Sequence, residues 1–63
     1  MLDINFNYKD FTIILHEVND VDCCFLVKCF SSDLSFSITK NCISRPEAFR
    51  IIYKILAFID NIV

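Results

Sequence analysis

Apolar periodicity changes once along this chain, and Ser44-Arg45-Pro46-Glu47 marks the change. Before it, apolar residues recur in runs of period two; after it, they recur at helical spacing. In such a segment the Ser44 hydroxyl accepts from the Glu47 N–H and the Glu47 carboxylate reaches back to the Ser44 N–H. Pro46 falls in the first turn, where a missing N–H does no harm. Strands first and one capped helix last define the expected fold. It is a single α+β domain over residues 1–63, with a three- to four-stranded antiparallel meander sheet and one C-terminal amphipathic helix packed on one face.

The strands read as follows. Residues 2–8 alternate strictly, with Leu2, Ile4, Phe6 and Tyr8 against Asp3, Asn5 and Asn7. The phase flips at Phe11, so a bulge or turn is expected at Lys9-Asp10. Residues 11–18 and 23–30 form the next two strands, with a turn at Asn19-Asp20. Ser31-Ser32-Asp33 makes another turn, and residues 34–39 give the cleanest alternation in the chain. One sheet face then collects Phe11, Ile13, Leu15, Phe25, Val27, Leu34, Phe36 and Ile38. The other carries Thr12, His16, Lys28, Ser35, Ser37 and Thr39, together with the apolar Ile14, Leu26 and Phe30.

Size limits what such a chain can do. A domain of 63 residues buries only about 60% of the surface its unfolded form exposes. A content of 56% hydrophobic residues compensates. Glycine is absent, where average usage would give roughly four. Glycine-dependent phosphate loops and dinucleotide fingerprints are therefore excluded. Primed two-residue hairpins are disfavoured, which leaves Asn, Asp and Ser to make the turns.

The helix at 45–62 carries Ala48, Ile51, Ile52, Ile55, Ile59 and Ile62 as a central stripe, flanked by Phe49, Leu56, Phe58 and Val63. Its polar side holds only Arg50, Lys54, Asp60 and Asn61. The apolar arc of roughly 180° exceeds the ~100° needed to pack on one layer. Surplus apolar surface of this kind points to a partner. The charged residues make the helix too interrupted to span a bilayer, and its polar face lacks the lysines and arginines of a membrane-surface helix.

Charge is uneven. Residues 1–33 hold six acids against two lysines, a balance of −4, while residues 34–63 balance at +2. An acidic half argues against direct nucleic-acid binding and for contact with a basic protein surface. No leader-like segment opens the sequence, so a cytoplasmic location with reduced thiols is expected. The abundance of Ile, Phe and Asn is of the kind that AT-rich bacterial and phage genomes encode.

Catalytic or metal chemistry finds little to work with. Cys23, Cys24, Cys29 and Cys42 show no CxxC spacing, and His16 is the one histidine. Adjacent strand residues point to opposite faces, which separates Cys23 from Cys24. A Cys24–His16 pair on neighbouring strands would still need a cleft and an oxyanion site. Glu17, Asp20 and Asp22 cluster at one hairpin tip, in a loop without the glycine and oxygen ligands that calcium binding wants. No cofactor, no metal and no enzymatic activity is expected.

Lys9-Asp10-Phe11-Thr12-Ile13 opening a strand, then two further strands, then one capped amphipathic helix, resembles the small phage anti-CRISPR proteins of βββα type. The resemblance covers residues 9–60 in pattern. It implies a non-enzymatic inhibitor of a CRISPR effector in the host cytoplasm, with Glu17, Asp20 and Asp22 as the acids that face the effector. Pro46-Glu47-Ala48 is similar to the helix opening of HicB-type antitoxin domains, though that family's glycine-rich turns and DNA-binding tail have no counterpart here.

The expected function is accordingly a small protein-binding module that inhibits a host defence complex. The alternatives are a structural homo-oligomer or assembly subunit, in the simplest case a homodimer, and a HicB-like antitoxin fragment. Candidate contact residues are Glu17, Asp20 and Asp22 in the acidic loop, Phe49, Leu56 and Phe58 on the helix, and Ile14 and Leu26 on the outer sheet face.

Overall fold

Four antiparallel strands and one helix follow each other along the chain: β1 Asp3–Tyr8, β2 Phe11–Glu17, β3 Phe25–Ser31, β4 Ser37–Cys42 and α1 Arg45–Ile62. The structure, a computed structural model, describes residues 3–18 and 24–62. Expectations for Leu2, the Asn19-Asp20 turn, Asp20, Asp22, Cys23 and Val63 lie outside the described residues. The sheet is an open meander in the order β1-β2-β3-β4, so the α+β fold is as expected and the meander has four strands.

Register follows the alternation. Ile4, Phe6 and Tyr8 pair with Leu15, Ile13 and Phe11, which pair or alternate in turn with Val27 and Cys29. Directly opposed residues share a face, so these side chains form one apolar layer. Phe11, Ile13, Leu15, Phe25, Val27, Cys29 and Cys42 are buried there against Ala48, Ile52, Ile55 and Ile59 of α1. The opposite face carries Asp3, Asn5, Asn7, Thr12, Ile14, His16, Leu26, Lys28 and Phe30, and no helix or strand among the described residues forms a second layer over it.

The β1–β2 connection is the turn expected at Lys9-Asp10, and it corrects the expectation that two-residue hairpins are disfavoured without glycine. Lys9-Asp10 is a two-residue hairpin turn between the paired Tyr8 and Phe11, and Lys9 adopts φ 54°. The left-handed corner usually goes to glycine, asparagine or aspartate. Here Lys9 holds it, and its ammonium donates to Asp60 Oδ1 at 2.9 Å. Tyr8 Oη donates to the same oxygen at 2.6 Å. Two contacts to the helix fix the residues on which the turn depends.

The β3–β4 connection corrects another. Residues 34–39 do not form the last strand; β4 begins three residues later, at Ser37. Asp33 is responsible. Its Oδ1 accepts from Ser31 Oγ at 2.8 Å, Ser35 N at 3.0 Å and Ser35 Oγ at 2.7 Å. These bonds give the backbone an alternative to the ladder. Leu34, expected in the core, sits at φ 60° and is 73% exposed, and Ser35 belongs to the turn rather than to the outer face. Phe36 lies just before β4 and still reaches the core side, edge-on to Phe11 with ring centroids 5.9 Å apart.

The helix begins where its sequence signal places it. Glu47 N donates to Ser44 Oγ at 3.3 Å, and Ala48 N donates to the Ser44 carbonyl at 3.1 Å. The return arm of the cap differs by one residue: Glu47 Oε2 accepts from Ile43 N at 3.2 Å, not from Ser44 N. Ile62, expected in the central stripe, is exposed, because it lies past the last buried residue, Ile59.

Candidate functional site

The placement of α1 on the sheet creates the site. The helix lies mainly over β3, one strand in from the β4 edge. Its buried ridge is Ala48, Ile52, Ile55 and Ile59. At about 100° per residue, Leu56, Phe49, Asp60 and Tyr53 turn to one side of that ridge, and Ile51, Phe58 and Lys54 to the other.

The side with Asp60 is pinned to the β1–β2 turn by Tyr8 and Lys9. Asp60 sits in the last turn of α1, where the helix dipole disfavours a negative charge. The Tyr8 hydroxyl and the Lys9 ammonium outweigh this and hold the Asp60 carboxyl below its ordinary range. Reciprocally, the hydrogen bond to Asp60 pushes both Tyr8 and Lys9 up.

The other side is open. Phe36, Ile38 and Lys40 on the β4 side and Ile51, Lys54, Ile55 and Phe58 on the helix enclose a groove of about 560 Å³. Phe58 stacks on Phe36 at 5.5 Å with 28° between ring planes and forms one wall. The lining is apolar except for the two lysines, and no carboxylate belongs to it. Among the described residues neither lysine is in an ion pair; the described pairs are Lys9–Asp60, His16–Asp3 and Arg45–Glu17.

Sequence reasoning missed this groove. Lys40 was legible in principle, since it shares the parity of Ile38 and therefore the helix-facing side of β4. Lys54 was read only as part of the polar face.

The residues singled out from the sequence fall in four places. Phe58, 44% exposed, is in the groove. Phe49, 38% exposed, and Leu56, half-buried, lie on the opposite flank. Nine residues separate Phe49 from Phe58, which at about 100° each is half a revolution, so the three cannot act as one patch. Ile14 and Leu26 are half-buried on the outer sheet face, where Ile14 opposes Lys28 and lies diagonal to Leu26 and Phe30. Glu17 turns toward the helix start, with Oε1 3.9 Å from Arg45 Nη2. Asp20 and Asp22 are outside the described residues.

The thiols do not assemble with His16. Cys29 and Cys42 are buried, Cys24 is half-buried, and burial pushes the Cys29 thiol up, away from its reactive thiolate form. Cys24 opposes Val18 through a backbone bond of 2.9 Å, whereas His16 opposes Leu26 and pairs with Asp3 across the β1–β2 ladder. The described residues contain no group of three or more His, Cys, Asp or Glu arranged to hold a metal. Among the described residues no helix is long and apolar enough to cross a membrane. Comparison with known protein families, with curated proteins and with solved structures finds no match to this chain.

Proposed function

We propose that this protein is a non-enzymatic protein-binding module that docks its partner in the groove between β4 and α1. The observation that carries this reading is the groove itself, an apolar cleft with a stacked aromatic wall and two lysines that are in no ion pair among the described residues, bordered by an open strand edge. A fully formed apolar surface left uncovered in so small a domain is what a binding partner would cover. The finer form of the proposal is a phage or mobile-element inhibitor of a host defence complex, acting in the cytoplasm. It is supported by the strand–helix order of β2–β4 and α1.

Affinity capture from host lysate, with wild-type and Phe58→Glu baits compared, tests the docking site. The proposal expects a protein retained by wild type and lost by the variant. Equal retention by both baits sinks it.

A second reading has its own observation. Ile14, Leu26 and Phe30 form a half-buried apolar cluster on the uncovered sheet face. Self-association through that face would make the protein a homo-oligomer. Light scattering at micromolar concentration then gives a dimer mass that falls to that of a monomer on Leu26→Lys.

A further inference from the structure

We infer that the groove takes an acidic, extended segment of a partner polypeptide, which adds to the sheet as a fifth strand beside β4. The inference rests on the protein-binding reading above and names the partner's chemistry. Three observations lead to it.

The first is the edge. Ser31 N donates to the Phe36 carbonyl at 3.0 Å, which sets the phase of the β3–β4 ladder. In that phase Cys29–Ile38, Val27–Lys40 and Phe25–Cys42 are the hydrogen-bonded pairs. Antiparallel alternation then turns the backbone N–H and C=O groups of Ser37, Thr39 and Asn41 away from β3, toward the open edge. Those groups are what an added strand pairs with.

The second is the floor. Ile38 and Lys40 project to the helix side of β4. A strand about 4.8 Å further out projects every second side chain into the same space, over Ile38 and against Ile51 and Phe58. The groove is therefore aligned with the edge, and one ligand conformation uses both.

The third is charge. Lys40 and Lys54 lie on the groove side, with no carboxylate in the lining. Edge pairing through the described strands of a second copy does not supply a free one: on the helix side of β1 its Asp60 is already bonded to Tyr8 and Lys9. Two-fold β4–β4 pairing would bring Lys40 and Lys54 of both copies to one face, four cations without an anion. Head-to-tail pairing of β1 onto β4 would present Ile4, Phe6 and Tyr8 to the groove, with Asp3 on the opposite face. A foreign strand with an acidic residue opposite Lys40, flanked two positions away by apolar residues, satisfies floor, edge and charge together.

The experiment uses the intact protein labelled with ¹⁵N and a capped heptapeptide, Thr-Ile-Thr-Glu-Thr-Ile-Thr. The expected result is saturable binding in which the amides of Ser37, Thr39 and Asn41 shift and gain exchange protection. Reversing charge with Lys40→Glu and Lys54→Glu together should weaken binding about tenfold or more, and should confer binding of the same peptide with Lys in place of Glu. Both lysines are exposed, so the fold is retained; Lys40→Gln with Lys54→Gln, an uncharged pair, should lose the preference without the swap. N-methylation of the peptide's alternate amides should abolish binding.

Four outcomes overturn the inference: no saturable binding, protection at β1 instead of β4, equal binding of the Glu and Lys peptides, or dodecanoate occupying the groove where the peptide does not. Peptide failure alongside Phe58-dependent capture from lysate removes the acidic-strand assignment and leaves the broader reading standing. Failure of both removes both.

Discussion

The two flanks of α1 are built from similar residues and end differently. Toward β1, the helix is tied down: Asp60 accepts from Tyr8 and Lys9, and the β1–β2 turn closes on the helix end. Toward β4, the helix stops short of the sheet edge, and Phe36, Ile38, Ile51 and Phe58 line a groove instead of filling a core. Both flanks exceed what one sheet layer can cover, so hydrophobicity alone does not decide which is closed. The difference is polar. A carboxylate on one flank meets a donor pair from the sheet, whereas the lysines of the other meet none among the described residues.

The largest perturbation removes the ridge that both flanks share. Ile59 is fully buried, and Ile59→Ala should destabilise by about 2–5 kcal/mol. In a chain of this size that brings the urea midpoint close to zero denaturant. A loss under 1 kcal/mol would mean that the helix is held chiefly by its pinned end.

Next comes a direct contrast between the flanks. Phe49 and Phe58 are similarly exposed, but Phe58 stacks on Phe36 and Phe49 has no ring partner among the described residues. Phe58→Ala should cost about 1 kcal/mol more than Phe49→Ala, the size of an aromatic pair interaction. A double-mutant cycle with Phe36→Leu should recover that difference as coupling energy. Absence of coupling would make the groove wall incidental.

Acid titration, read at the β3–β4 turn, probes the β4 side without mutation. Asp33, which shapes the turn that presents Phe36, is held down to about 2 chiefly by hydrogen bonds from Ser35. A depressed carboxylate contributes stability that is present above its usual value near 4 and is lost as pH falls toward 2. The Phe36 and Leu34 resonances should therefore report loosening of the β3–β4 turn in that window, and Asp33→Asn should abolish the transition. If the turn signals stay flat to pH 2, the carboxylate does not hold it.

The smallest effect belongs to the pinned flank. Asp60 is also depressed, so its contribution fades in acid. Tyr8 is raised, so its contribution is fully present below the ordinary tyrosine value and fades as pH climbs through the raised one. Asp60→Asn should return the Tyr8 titration, followed by ring shifts, toward the ordinary phenol value. An unmoved titration would place the cause elsewhere.

Helix limits and sheet faces were legible because each rests on local chemistry. Ser44, Pro46 and Glu47 fix the helix start, and alternation assigns Phe11, Ile13, Leu15 and Val27 to the core. β4 was misplaced because Leu34, Phe36 and Ile38 keep period two straight through a turn, so periodicity had no boundary to show. Only the Asp33 carboxylate and its serine donors reveal that boundary, and they act through side-chain geometry. The groove was not legible for a different reason. It depends on where the helix settles across the sheet, a tertiary outcome that no single segment encodes. The same applies to Phe49 and Phe58, which a one-dimensional list joins and half a helical revolution separates.

Left-handed backbone at Lys9 and Leu34 lets this chain turn twice without glycine, at a steric cost of about 1–2 kcal/mol per corner in the folded state, while the absence of glycine elsewhere acts on the unfolded ensemble. Each glycine avoided narrows the conformations available before folding, worth about 0.4–1 kcal/mol where the native geometry tolerates a side chain. The two terms oppose each other: strain at two corners of the native chain, and a narrower ensemble for the chain that has yet to fold.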